Sequence, residues 1–202
     1  MQPVFVLPFE GEQQEIRQEI GRLEQGYFQR SVSYAANSEE ADAIAMSAGQ
    51  RIRDGERTKE NLKIIFRWKH ESSRFYRSTL KPLFDKNLPD DVTKALKLAD
   101  EAQSDSEAIA ALLSLKGVQV PTASAMLANI YPDRFTVIDS LALRALGVDN
   151  QEIAFYLLYN DECQSMADRY QVSRRSLDRA LWEWGKTHPP ERARRRSASK
   201  SD

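Results

Sequence analysis

The sequence predicts an all-α fold, and three observations support this prediction. Apolar residues recur at intervals of three and four along most of the chain, which is the spacing of amphipathic helices. Only the first nine residues and the run 135–138 look extended, and glycine is scarce, at 8 of 202 residues. We expect one helical domain over residues 1–187, with a cleft between two helical lobes, and a disordered basic tail over 188–202.

The helices follow in order from their apolar stripes and start signals. The first stripe is Ile16, Ile20 and Leu23, and the second helix opens at Ser38, where a capping residue precedes two acids. A proline at a first helical position marks the start at Pro89. Stripes and breaks of this kind predict helices at 38–50, 62–69, 89–99, 107–115, 122–130, 140–147, 151–159, 161–170 and 174–186.

Composition excludes several classes of protein. No apolar run approaches the ~20 residues that cross a bilayer, and the apolar start lacks the basic region of a signal peptide. One cysteine, Cys163, excludes an internal disulfide, and two histidines are too few for a typical zinc or haem site. We expect a cytoplasmic monomer without a membrane partner. The net charge is −1, so nothing attracts nucleic acid to the chain as a whole.

The segment 107–147 is the most informative part of the chain. A helix is predicted to end near Gly117, a tight turn follows, and Pro121 and Thr122 start a helix of small residues. Such a turn offers backbone N–H groups and a positive helix N-terminus to an anion, and DNA phosphate is one such anion. From the turn alone, an ordinary helical hairpin is the better interpretation.

The wider spacing resembles the helix-hairpin-helix superfamily of DNA glycosylases. Gly117 takes the position of the first hairpin glycine, and Thr122 and Ala123 match the Thr-Ala pair of that pattern. Asp139, 22 residues after Gly117, matches the catalytic aspartate, and Arg144 follows it by five. The resemblance implies that Asp139 is catalytic. It also implies a DNA-binding hairpin made of Lys116, Gly117, Val118, Gln119, Val120 and Thr122, and no cofactor beyond, at most, a structural monovalent cation there.

Two positions depart from the pattern of that superfamily. Gln119 replaces the second hairpin glycine, which puts one phosphate contact in doubt. Pro121 stands where the bifunctional members carry their Schiff-base lysine. Because proline has no side-chain nucleophile, a lyase step through this position is excluded.

A second cluster, over residues 67–77, mixes basic and aromatic side chains. This mixture suits contacts to phosphates and stacking on an unpaired base. We take Trp68, Lys69, Arg74 and Tyr76 as candidates for a base pocket. A core tryptophan beside a solvated basic face explains the cluster equally well. In 174–184, a core stripe of Leu177, Leu181 and Trp184 is predicted, with Asp178 free to cap or to pair with an arginine.

The resemblance implies a monofunctional DNA glycosylase. Such an enzyme would flip a damaged or modified base out of double-stranded DNA, hydrolyse its N-glycosidic bond and leave an abasic site. A role in antiviral defence against modified phage bases, such as glucosylated hydroxymethylcytosine, is a further expectation. Two alternatives stay open: a non-catalytic helix-hairpin-helix DNA-binding module, and a helical adaptor protein in which the motif is accidental. Asp139 favours the enzyme, since an acid repels phosphate in a plain binder.

Overall fold

The fold is all-helical over the part of the chain that the computed structural model describes, residues 5–189. The predicted tail lies outside these residues, apart from His188 and Pro189. Within them the chain forms the following helices: α1 (Gln13–Phe28), α2 (Ser38–Arg53), α3 (Lys59–His70), α4 (Lys81–Asp85), α5 (Pro89–Asp100), α6 (Asp105–Leu113), α7 (Val120–Ile130), α8 (Ser140–Ala145), α9 (Ile153–Tyr170) and α10 (Arg174–Thr187), with a π-helical turn at Tyr76–Leu80. None of these helices is long and apolar enough to span a membrane.

The helices pack in two groups. A terminal lobe joins α1 to α8, α9 and α10, and a central lobe contains α2 to α7. The lobes meet where α1 packs on α2 and where α6 packs on α9. One apolar core runs through both lobes and includes Ile20, Phe66 and Leu181. The chain therefore enters the terminal lobe, builds the central lobe and returns.

Several helices begin at a side-chain cap. Asn37, Thr58 and Ser104 each accept a hydrogen bond from a backbone N–H in the first turn of the helix that follows. Such caps satisfy N–H groups that have no partner inside the helix. Helix α2 begins at Ser38 as predicted, but the capping side chain is that of Asn37, one residue earlier.

Two predicted helices, 151–159 and 161–170, form a single helix, α9. The chain remains helical through the predicted break at residue 160. Asn160 is buried, and its amide accepts from the N–H of Thr136 at 2.9 Å and donates to the carbonyl of Arg134 at 3.1 Å. The polar residue supports a neighbouring segment and does not end the helix.

The segment 135–138 is buried and non-helical, but it pairs with no strand among the described residues. Its backbone groups bond to side chains instead. The hydroxyls of Tyr156 and Tyr159 donate to the carbonyls of Thr136 and Val137, and the N–H of Ile138 donates to Ser124 Oγ at 3.1 Å. These bonds fix the chain immediately before Asp139.

The first described residues also lie outside any helix or strand. Phe5, Leu7 and Phe9 are buried while Val6 is 74% exposed, so burial alternates as in an extended peptide. Phe5 packs on Tyr159 and Phe9 packs on Trp184. This segment therefore covers α9 and α10 of the terminal lobe.

Candidate active site

A cavity of about 400 Å³ opens between the two lobes. The central lobe contributes Trp68 and Lys69 from α3, and the terminal lobe contributes Asp178, Arg179 and Trp182 from α10. Further parts of the wall are the loop 30–34 after α1, Glu71 after α3, and the end of the segment that leads to Asp139. A cavity of this size, with aromatic walls and a few polar groups, is typical of a small-ligand site.

Asp139 lies in the wall of the cavity at the start of α8. Its Oδ1 accepts hydrogen bonds from the N–H groups of Leu141 and Ala142, at 2.8 and 2.9 Å. These bonds fix the carboxylate at the positive end of a short helix. The other oxygen, Oδ2, points to Lys69, and 18% of the Asp139 side chain is exposed.

The Lys69 ammonium lies 3.3 Å from Asp139 Oδ2. The lysine is 10% exposed, and its Nζ also lies 3.5 Å from the carbonyl of Ile138. The central lobe thus contributes a cation, and the terminal lobe an anion, to the same wall. A carboxylate held beside a cavity can stabilise positive charge that develops in a bound molecule and can orient water.

Asp42, on α2, holds the side chain of Trp68 in place. The carboxylate is 2% exposed and accepts from the indole N–H of Trp68 at 2.7 Å and from the Tyr27 hydroxyl at 2.8 Å. Burial raises the pKa of Asp42, but the guanidinium groups of Arg175 and Arg179 outweigh burial and lower the pKa overall. Arg175 also lies over the Trp68 ring, 4.6 Å from its centroid. The tryptophan is therefore held by a charged network from both lobes.

Two of the four residues predicted for the base pocket line the cavity. Trp68 and Lys69 do so. Tyr76 does not: it is buried in the core near Phe66. Arg74 is exposed on the loop after α3, where its guanidinium lies over the Phe75 ring, and it is not part of the cavity wall either. Helix α3 ends at His70, so the chain turns away from the cavity before it reaches these two residues.

The hairpin is formed by the turn between α6 and α7. Gly117 has a φ of +80°, the left-handed backbone that favours glycine. Asn87 clamps the preceding residue, since its side chain accepts from the N–H of Lys116 at 2.8 Å and donates to its carbonyl at 3.0 Å. Within residues 5–189, the N–H groups of Gly117, Gln119 and Val120 donate to no other group. These three donors are available to an anion.

The six predicted hairpin residues differ in exposure. The side chains of Lys116 and Gln119 are exposed, and Gly117 and Val120 are partly exposed. Val118 is buried, as is Thr122, whose hydroxyl lies 2.9 Å from His70 Nε2. Burial, with a smaller effect of the Lys69 charge, lowers the pKa of His70 to about 4. The Thr122 side chain therefore bonds to a neutral imidazole inside the protein and does not face an external phosphate.

Sequence reasoning missed the part of α10 that faces the cavity. Asp178 pairs with Arg175 at 2.6 Å, as the sequence allowed, but it also lines the cavity together with Arg179 and Trp182. The available signal was Asp178, which follows Arg174 by four residues and Arg175 by three on a helix with a core stripe.

The remaining candidate residue is Arg144. Arg144, the arginine five residues after Asp139, is exposed, and its NH1 lies 3.4 Å from the carbonyl of Gly185.

In the described part of the chain, no group of three or more histidine, cysteine or acidic residues is arranged to hold a metal ion.

Comparisons with known proteins gave no relative for this chain. A scan against protein-family models gave no match, and searches of curated proteins and of solved structures gave none either. The functional interpretation therefore depends on the chain's own residues and geometry.

Proposed function

We propose that this protein is a monofunctional DNA glycosylase that hydrolyses the bond between a flipped base and its deoxyribose. The observation that carries the proposal is the placement of Asp139, fixed by two backbone N–H groups at the wall of a 400 Å³ cavity with tryptophan walls. A cavity between two lobes accepts a base only after it has left the duplex stack.

The proposed chemistry assigns one role to Asp139. As the bond between base and sugar breaks, the sugar acquires oxocarbenium character, and a nearby carboxylate stabilises that charge. The same carboxylate can orient the attacking water, whose oxygen forms the new bond to the sugar carbon. The base leaves with the electron pair of the broken bond, and the proton that the water loses ends on the base. Trp68, held by Asp42 and Arg175, offers a rigid aromatic wall for the extruded base.

In this proposal, the hairpin binds the DNA backbone. The three available N–H groups of Gly117, Gln119 and Val120 and the exposed ammonium of Lys116 would contact the backbone of duplex DNA. Such contacts fix the position of the strand and carry no sequence information. The Gln119 substitution leaves its backbone N–H unbonded within residues 5–189, so the absence of the second glycine does not remove this donor.

We extend the proposal to enlarged bases, such as the glucosylated hydroxymethylcytosine of some phage genomes, and thus to antiviral defence. A cavity of about 400 Å³ exceeds what a bare pyrimidine fills, and its rim carries hydroxyl groups from Ser31, Ser33 and Tyr34. Hydroxyl groups of this kind suit hydrogen bonds to a sugar substituent.

One observation favours the alternative of a non-catalytic DNA-binding module. Lys69 neutralises Asp139 at 3.3 Å, which also removes the repulsion between that acid and a phosphate. A binding module of this kind would bind duplex DNA and release no base.

The experiment is mass spectrometry of free bases released from a panel of duplex DNAs that carry oxidised, alkylated, deaminated or phage-type modified bases. The glycosylase proposal predicts release of at least one base class by the wild type. Binding to the DNAs of the panel without release of any base would support the binding module.

A further inference from the structure

Asp178 places a carboxyl group in the cavity wall that the proposed reaction does not use. Its Oδ2 accepts from the guanidinium of Arg175 at 2.6 Å, and only 8% of its side chain is exposed. Its Oδ1 accepts from no group within residues 5–189. Since Oδ1 is not among the fully enclosed polar atoms that lack a partner there, it is the oxygen that Asp178 presents to the cavity.

A carboxylate oxygen that faces the cavity takes its hydrogen bond from water there, and a ligand that displaces this water must supply a donor in its place. Leaving a buried acceptor without one costs free energy, and the cost is larger for a charged group. The neighbouring acid of the cavity, Glu71, provides a contrast: its Oε1 accepts from Ser33 at 3.1 Å and its Oε2 from Arg67 at 3.2 Å. Of these two carboxyl groups, only Asp178 has an oxygen left for a bound molecule.

We propose that Asp178 recognises the flipped base by accepting a hydrogen bond from an exocyclic amino group. The inference deepens the proposed function, on which it rests, and names the substrate class: bases with an amino group, of the cytosine or adenine type, over their keto counterparts. An ionised carboxylate can only accept, so it pairs with the amino group of a cytosine and leaves the carbonyl of a uracil without a donor.

The protonation state of Asp178 sets the direction of this selectivity. Burial raises the pKa of Asp178 to about 6; the Arg175 charge opposes this effect and the Asp139 charge adds to it. The carboxyl group is therefore an acceptor at pH 7.5, and below pH 6 it becomes protonated and can donate.

Two titratable groups near Asp178 have shifted pKa values of their own. Burial holds the pKa of Tyr27 well above 10, and the arginine charges hold the pKa of Asp42 below its usual value. The remaining charged neighbours are Lys69 on α3, Arg175 and Arg179 on α10, and Asp139 before α8.

The first test is a titration of the full chain with deoxycytidine and with deoxyuridine. The base of deoxycytidine carries an amino group where the base of deoxyuridine carries a carbonyl. The indole N–H signal of Trp68 in a nitrogen–proton correlation spectrum reports occupancy of the cavity and needs no turnover. We expect deoxycytidine to bind about tenfold more tightly at pH 7.5, the effect of one good base-edge contact. The preference should shrink at pH 5.

Two variants test whether that preference depends on Asp178. Asp178→Asn should abolish it, because the amide both donates and accepts. Glu71→Gln removes a carboxylate from the same cavity and should leave the preference as it is. Thermal unfolding of both variants confirms that they are folded. An unchanged preference in Asp178→Asn, or a wild type that favours deoxyuridine, overturns the inference.

The second test separates this inference from the proposed function. Release of 5-hydroxymethylcytosine is compared with release of 5-hydroxymethyluracil, each placed opposite an abasic site so that no base pair is broken on flipping. Release of both at equal rates would leave the glycosylase in place and overturn the role of Asp178. A nucleoside preference that needs Asp178, without base release from any duplex, would establish the recognition site and refute the glycosylase.

Discussion

At the scale of single residues, the proposed reaction depends on the carboxylate of Asp139 and on its charge. Asp139→Asn keeps the shape of the side chain and an oxygen that can accept from Leu141 and Ala142. We expect base release to fall by about 10²-fold or more, the effect of removing one electrostatic stabiliser. DNA affinity should stay level or rise, because a negative charge near phosphates is gone. Single-turnover release and binding isotherms measure the two effects, and an Asn variant that releases bases at the wild-type rate would refute the assignment.

Lys69 raises the question of whether an amine replaces the lysine that Pro121 excludes. Its Nζ lies 3.3 Å from Asp139 Oδ2, and an amine in that position is a nucleophile only when neutral. In the structure this Nζ is paired with the Asp139 carboxylate, and Pro121 carries no amine, so we expect intact strands, with breaks only after alkali.

Borohydride reduction during the reaction tests this expectation directly. No covalent protein–DNA adduct should form. A trapped adduct that disappears in Lys69→Ala would instead make the enzyme bifunctional, with its amine on α3 in place of α7.

At the scale of elements, the hairpin between α6 and α7 should carry the DNA affinity. Gly117→Asp places a side chain on a left-handed backbone, where a Cβ would lie 3.2 Å from the backbone N of Phe84, and adds a negative charge beside the available N–H groups. Affinity for duplex DNA should fall. The slope of log K against log salt should flatten by about one unit for each phosphate that the hairpin no longer binds.

Lys116→Ala is the milder companion to this variant. It removes one exposed charge and leaves the turn as it is, so it should weaken binding and flatten the slope by about one unit. Wild-type affinity and salt slope in both variants would place the DNA surface elsewhere.

The contact of α8 with α10 sets the position of Asp139. A Cβ on Gly185 would lie 2.0 Å from the carbonyl oxygen of Leu141, so Gly185→Ala must push α8 away. We expect the free energy of unfolding to fall by about 1–3 kcal/mol, as in overpacked cores, together with slower base release.

Gly21→Ala is the matched control, because a Cβ there meets nothing within 4 Å. Replacing a helical glycine by alanine should raise stability by about 0.4–1 kcal/mol and leave release unchanged. Chemical denaturation measures both variants. Equal stability of the two would show that α8 and α10 are not in close contact.

Helical periodicity and capping residues are enough to predict most elements. Local signals alone predict the start at Pro89, and the cap at Asn37 lies one residue from the predicted start at Ser38. The predicted split of α9 is wrong because a buried Asn160 has the same sequence signal as a helix break. The π-helical turn and α4 were not predicted, although Tyr76, Leu80 and Phe84 recur at intervals of four. The stretch is short, and Pro82 falls within it.

The candidate site is predictable only in part. The mixture of basic and aromatic residues singles out Trp68 and Lys69, and the family resemblance singles out Asp139. The structure brings all three to one cavity. Tyr76 and Arg74 are neighbours of Trp68 in the sequence, which is why they were expected in the pocket, but the end of α3 separates them from it. The α10 wall escapes prediction because a pair of an acid and an arginine on a helix is usually structural.

At the scale of the whole molecule, each lobe carries part of the proposed site. The central lobe carries the hairpin together with Trp68 and Lys69, and the terminal lobe carries Asp178 and the α8 helix whose cap is Asp139. DNA held at the hairpin would present a flipped base to a cavity whose walls come from both lobes. The proposed chemistry would therefore depend on the packing between them.

The most direct measurement counts products from one duplex substrate chosen by the release panel. Free base is counted by mass spectrometry, abasic sites by an aldehyde-reactive probe, and strand ends on a denaturing gel. A monofunctional glycosylase gives one free base for each abasic site with the strand intact, and almost no product with Asp139→Asn although that variant binds the DNA. Tight binding by the wild type without release of any base would contradict the proposed function and identify the protein as a DNA-binding module.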